Sequence, residues 1–77
     1  MGKYDPLFRY LQKSENRQNT LAYAEIEKIL SAKLPVSAYK YKEWWHNNSH
    51  VQSKSWREAG YTVETVCLGD KVIFVKE

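Results

Sequence analysis

An α+β fold, three to four short helices followed by a C-terminal β-hairpin, is predicted by three features of this 77-residue chain. Two apolar stripes recur with helical spacing in the N-terminal half: Leu7, Tyr10 and Leu11, then Ile26, Ile29 and Leu30. At the C-terminal end, TVETVCL and KVIFVKE are β-rich runs separated by Gly69-Asp70, a two-residue hairpin signal. Between them, Leu34 to Tyr61 holds all three tryptophans, three of the six tyrosines and both histidines. A domain of this size is marginal without staples, and a single cysteine excludes an internal disulfide or a four-cysteine zinc site. The core must therefore come from large side chains, and the 14% aromatic content supplies them.

The elements follow in order. Asp5-Pro6 reads as an N-cap with Pro at the first helical position, opening a helix through PLFRYLQKS. Leu7, Tyr10 and Leu11 form its apolar face, with Phe8 beside it. Ser14 to Asn19 is polar and reads as a loop. Thr20-Leu21-Ala22 is a short extended piece, and YAEIEKILSAKL a second helix with Glu25 and Glu27 in its first turns, where the helix dipole favours carboxylates. Pro35 stops it. Ser37 is placed to cap a third helix, Ala38 to Asn47, burying Ala38, Tyr41 and one tryptophan of the Trp44–Trp45 pair; adjacent helical residues lie 100° apart, so the two are not equally buried. Ser53 would cap a fourth helix, KSWREAG, closed by Gly60. Trp45, Tyr41, Ile26, Ile29, Leu30, Leu7, Leu11, Val63, Val72 and Phe74 are expected to supply much of the core. Helix, short strand, helix, helix, hairpin is the order of a winged-helix domain, with an extra helical turn before the wing.

Composition narrows the function classes. MGKYDPLFRYL has no apolar run of signal-peptide length, Pro6 stands where a myristoylation signal needs Ser or Thr, and no segment is long and apolar enough to span a membrane. A cytoplasmic protein with no membrane partner is the expectation. Net charge is +3, and the distribution says more than the total. From Ser37 to Arg57, Lys40, Lys42, Lys54 and Arg57 face Glu43 alone, a local +3 in 21 residues. Such a segment either forms a solvated helix face or meets phosphates.

Aromatics interleaved with basic side chains favour a nucleic-acid surface. In a helix-turn-helix arrangement the helix from Ala38 would enter the major groove. Lys40, Lys42, Lys54 and Arg57 would contact phosphates, with Tyr39 and Trp44 beside them. Asn47 or Asn48 would read an adenine edge, unless both cap the helix end. Lys71, at the hairpin tip, would touch the neighbouring groove or backbone. Double-stranded DNA is the expected partner. An operator-like site would favour a homodimer, although no heptad or long dimer helix is visible. A protein partner is the competing reading, since Trp, Tyr and Arg dominate protein hot spots too.

Catalysis and metal chemistry find less support. His46 and His50 are four apart, a spacing that can place two imidazoles on one helical face, but NNS between them weakens that geometry. There is no Gly-rich phosphate loop and no H-E-x-x-H. Cys67 lies in a strand and is most simply a small packing residue. No enzyme, cofactor or metal site is expected.

The segments KYDPLFRYL, YAEIEKIL, LPVSAYKYKEWWHN and SWREAGYTVETVCL resemble a family of small bacterial and phage domains of unknown function. Tyr4, Pro6, Leu7, Tyr10, Leu11, Ile26, Ile29, Leu30, Leu34, Pro35, Ser37, Ala38, Tyr41, Trp44, Trp45, Asn47, Trp56, Ala59, Gly60, Tyr61 and Val63 match its pattern, over nearly the whole chain. Ala22 departs from it, standing where Thr is common before the second helix. Such domains stand alone or accompany restriction-type nucleases, which implies DNA binding without assigning any catalytic residue. That association sharpens one expectation: an aromatic pocket of Trp44, Trp56 and Tyr39 that holds a modified or flipped base.

Overall fold

A computed structural model describes residues 2–47 and 50–77. Helix α1, Asp5–Lys13, is followed by strand β1, Gln18–Ala22, and helix α2, Tyr23–Leu30. Helix α3, Val36–Lys40, leads into a 3-10 turn, Lys42–Trp45, and then helix α4, Val51–Arg57. Strands β2, Tyr61–Cys67, and β3, Lys71–Lys76, complete an antiparallel sheet of order β1-β3-β2. The α+β class and the order of elements are as the sequence predicts.

Boundaries differ for local reasons. Asp5 is the first residue of α1 rather than its cap, and its carboxylate meets Arg9 one turn on at 2.8 Å. In α2, Ser31 takes a left-handed conformation (φ 55°) and ends the helix four residues before Pro35. Helix α4 starts at Val51, so Ser53 lies inside it; its buried hydroxyl donates back to the His50 carbonyl at 3.0 Å. The hairpin loop has three residues, Leu68 to Asp70. The Asp70 N–H donates to the Cys67 carbonyl at 2.8 Å, and Gly69 takes φ 76° at the third position of that turn, where a side chain would be strained.

One hydrophobic cluster lies between the sheet and the helices. Leu7, Leu11, Ile26, Leu30, Trp45, Val72 and Phe74 are buried as expected. Ile29 and Val63 are half-buried, and Tyr41 is 57% exposed. Trp56, Tyr61, Tyr23, Leu21, Leu34 and Ala38 complete the core. Its middle is aromatic. The Trp45 ring meets Trp44 at 4.7 Å, Tyr23 at 5.4 Å and Trp56 at 5.8 Å, and Trp56 continues to Phe74 at 5.7 Å. These offset and edge-on contacts each add to the area that the rings bury.

Candidate functional site

The continuous helix expected from Ala38 to Asn47 is not formed. The last α3 bond runs from the Tyr41 N–H to the Ser37 carbonyl, 2.9 Å, and Tyr41 is extended (φ −124°, ψ 124°). The Ala38 carbonyl, which a longer helix would offer to the Lys42 N–H, instead accepts from the Tyr23 hydroxyl at 2.7 Å and from the Trp45 indole N–H at 3.0 Å. A buried tryptophan and a buried tyrosine both need an acceptor, and an interrupted helix provides one. The cost is a kink, and the kink turns Tyr41 out of the core, against the expectation that it packs inside. Tyr39, Lys40, Tyr41 and Lys42 are consequently exposed in succession.

Tyr39 is held from below. Its hydroxyl donates to Glu27 Oε2 at 2.6 Å, and the same oxygen accepts the Leu34 N–H at 2.8 Å. One carboxylate thus ties α2, the following turn and α3 together. The Tyr39 hydrogen bond, followed by that of Leu34, holds the Glu27 carboxyl below its usual range. Reciprocally, the hydrogen bond to Glu27 pushes the Tyr39 phenol up to about 12. From Lys28 to Lys42 the chain carries Lys28, Lys33, Lys40 and Lys42 and no Asp or Glu. All four lysines are exposed.

The remaining expected site residues are scattered by the fold. Asn47 is occupied structurally: its Nδ2 donates to the Val63 carbonyl at 3.1 Å, and its Oδ1 accepts the Val63 N–H at 2.8 Å and the Trp56 indole N–H at 3.0 Å. The amide completes the free edge of β2 just before the register shift between Val63 and Thr65, and leaves one N–H for anything else. That takes it away from the bidentate adenine contact expected of it, which needs the amide oxygen and nitrogen together. Asn48 lies outside the described residues. Lys54 and Arg57 are exposed on α4, but they line an open depression of about 310 Å³ shared with Glu58 and Glu77, so carboxylates sit among these cations. Lys42 instead lines a separate open groove of about 660 Å³ between the 3-10 turn and β2.

Lys71 is exposed at the start of β3, yet its backbone is paired on both sides, with Ala22 and with Cys67. The Asp70 carbonyl accepts the Tyr23 N–H at 2.8 Å. The hairpin tip is therefore tied to the β1–α2 junction, not extended as a free wing. Cys67 is exposed, not packed, because it pairs with the exposed Lys71, on the sheet face opposite the one that buries Val72.

The aromatic pocket expected from Trp44, Trp56 and Tyr39 is not assembled. Trp56 is fully buried, with its N–H given to Asn47. Trp44 is half-buried and rests edge-on against Tyr4 and Trp45. Tyr39 packs against Tyr23. The one-turn helical spacing of His46 and His50 is also absent, since both have extended backbones. Among the described residues, no group of three His, Cys, Asp or Glu side chains is placed to hold a metal ion. Nor, among them, is any helix long and apolar enough to cross a membrane.

Comparison with curated proteins gives no match, and comparison with solved structures gives none either. A family model covers residues 4–77, almost the whole chain, including every residue of the aromatic core and of the Tyr39–Lys42 surface. The chain belongs to the family described as a domain of unknown function, DUF7662.

Proposed function

We propose that this chain is a DNA-binding domain without chemistry of its own, and that its contact surface is the α2–α3 turn, α3 and the 3-10 turn. The observation that carries this reading is the acid-free run from Lys28 to Lys42, with four exposed lysines and with Tyr39 and Tyr41 exposed between them. Lysines gain from phosphates by releasing condensed counterions, and exposed aromatic faces gain from bases. Of the two carboxylates that flank this run, Glu27 is turned to Tyr39 and to the Leu34 backbone, and Glu43 is exposed in the 3-10 turn. Lys54, Arg57 and Lys71 then contribute to the general field rather than to the contact. The resemblance to domains that accompany restriction-type nucleases supports the same reading. A purpose in regulation or in defence fits it equally.

Fluorescence anisotropy against labelled DNA over a range of salt concentrations tests the proposal. Binding should weaken with salt at a log–log slope of about −0.9 per phosphate contact for duplex. Lys40→Gln with Lys42→Gln should flatten that slope by about 2, roughly one for each lysine. A slope unchanged by this pair would remove the surface from the account.

A protein-interaction module is the second reading. Val36 is 66% exposed, and Tyr39, Tyr41 and Leu68 are exposed large apolar side chains as well. An interface built on these would respond weakly to salt, and DNA binding would then be absent at low ionic strength.

A further inference from the structure

Beside the Tyr39–Lys42 surface lies an open depression of about 340 Å³, lined by Ser37, Tyr41, Glu43, Trp44, His50 and Gln52. It is not the pocket expected from the sequence, since it uses Tyr41 in place of Tyr39 and excludes Trp56. Resting on the DNA-binding reading above, we propose that this depression holds one unpaired nucleobase of a single strand, whose flanking phosphates meet Lys40 and Lys42.

Three features carry the argument. First, the walls differ in freedom. Trp44 is fixed by edge contacts to Tyr4 at 5.9 Å and to Trp45 at 4.7 Å, whereas Tyr41 is 57% exposed and meets no other ring among the described residues. A tyrosine on an extended backbone, opposite a fixed indole, leaves an aromatic face for a base to cover. Stacking of this kind is worth most where an exposed ring has no partner in the free protein.

Second, the polar lining is complementary to a base edge. Gln52 is oriented by its Nε2, which donates to the Trp44 carbonyl at 3.2 Å, so its Oε1 is the end left to an incoming donor. Glu43 adds a carboxylate and Ser37 a hydroxyl. Two acceptor groups at one rim favour bases with an exocyclic amino group, cytosine, adenine and guanine, over thymine. Third, Tyr41 lies between two exposed lysines in sequence, so a base on its ring leaves the adjoining phosphates within the reach of cations on both sides. An unpaired base is required because a base inside a duplex presents only its edge and cannot lay its face on the Tyr41 ring.

The test compares labelled oligomers of cytosine and of thymine, single-stranded, with a duplex of mixed sequence, for the wild type, Tyr41→Ala, Tyr41→Phe and Glu43→Gln. Tyr41 and Glu43 are exposed, so neither change opens the core, and the far-UV spectrum and melting curve check that each variant is folded. The expected result is tighter binding of cytosine than of thymine oligomers. Tyr41→Ala should weaken the cytosine complex about 5-fold or more, the low end for losing one base–aromatic stack. Tyr41→Phe should bind as the wild type does, and Glu43→Gln should narrow the preference for cytosine. Salt-dependent binding that Tyr41→Ala leaves unchanged would overturn the base site while leaving the DNA-binding reading in place. Failure of every oligomer and of the duplex to bind at low salt would overturn both. Cytidine monophosphate binding as tightly as the oligomer would overturn the strand as the ligand and point to a free nucleotide.

Discussion

At the scale of single residues, two side chains do more than their types suggest. Asn47 closes three hydrogen bonds with one amide, and one of them satisfies the indole of the fully buried Trp56. Asn47→Ala would leave that donor unpaired and release the β2 edge, at a cost of about 1–3 kcal/mol. Asn47→Asp keeps an acceptor for Trp56 and for Val63 N–H and loses only the donation to the Val63 carbonyl, so it should lie between the wild type and the alanine variant in urea denaturation. Glu27 is the second such residue. Its folded pKa is lowered, so its contribution to stability is present above the ordinary carboxylate value and is lost as pH falls through the folded one. The Tyr39 phenol is raised, so its contribution is present below about 10, the usual phenol value, and is lost as pH rises through about 12. The melting-temperature difference between the wild type and Tyr39→Phe should therefore be largest between these limits and shrink at both ends; a pH-independent difference would mean that the clamp contributes packing only. Residues of this kind are hard to read from a sequence. The unequal burial of Trp44 and Trp45 was legible because adjacent positions cannot share one face of a helical turn. The work of Asn47 was not, because it depends on a strand edge that comes sixteen positions later in the chain.

At the scale of elements, what was legible is what local patterning controls. The stripes of α1 and α2 and the β-rich runs of β2 and β3 are local signals, and each element formed, although Tyr10 of the α1 stripe is 43% exposed. Where the chain departed from expectation, tertiary hydrogen bonding overrode a local preference. Helix α3 stops after five residues because the Ala38 carbonyl is taken by Tyr23 and Trp45. The start of α2 shows the same logic in reverse. The Glu25 carboxylate accepts the Ala22 N–H at 2.9 Å, half of a capping box, but Ala22 has no oxygen to return to the Glu25 N–H. Its backbone is already in the extended conformation that a cap residue adopts, φ −69° and ψ 153°. Ala22→Ser should therefore stabilise the domain by about 0.5–1 kcal/mol, read as a rise in the urea midpoint at unchanged slope. A fall in the midpoint would mean that the pairing of Ala22 with Lys71 does not tolerate a hydroxyl.

At the scale of the whole molecule, the fold is organised around one ring system. Trp45 is almost fully buried and touches three other aromatic rings, and its N–H reaches α3. It therefore joins the helical layer to the α4–sheet layer through Trp56 and Phe74. A chain of this length has roughly 4–12 kcal/mol of stability to lose. Trp45→Ala removes about 3–5 kcal/mol, a third or more of the total over most of that range, and should lower the melting temperature by about 15 °C or more. Trp44, its half-buried neighbour, makes two edge contacts, and Trp44→Ala should cost less, roughly 1–3 kcal/mol. The comparison separates two roles for the paired tryptophans, one holding the layers together and one walling a surface depression. Equal losses would show that the two share a single packing role and that the Trp44 wall has no independence from the core. If the losses are unequal as expected, Trp44→Ala remains folded, and its effect on single-strand binding can be measured without the fold giving way.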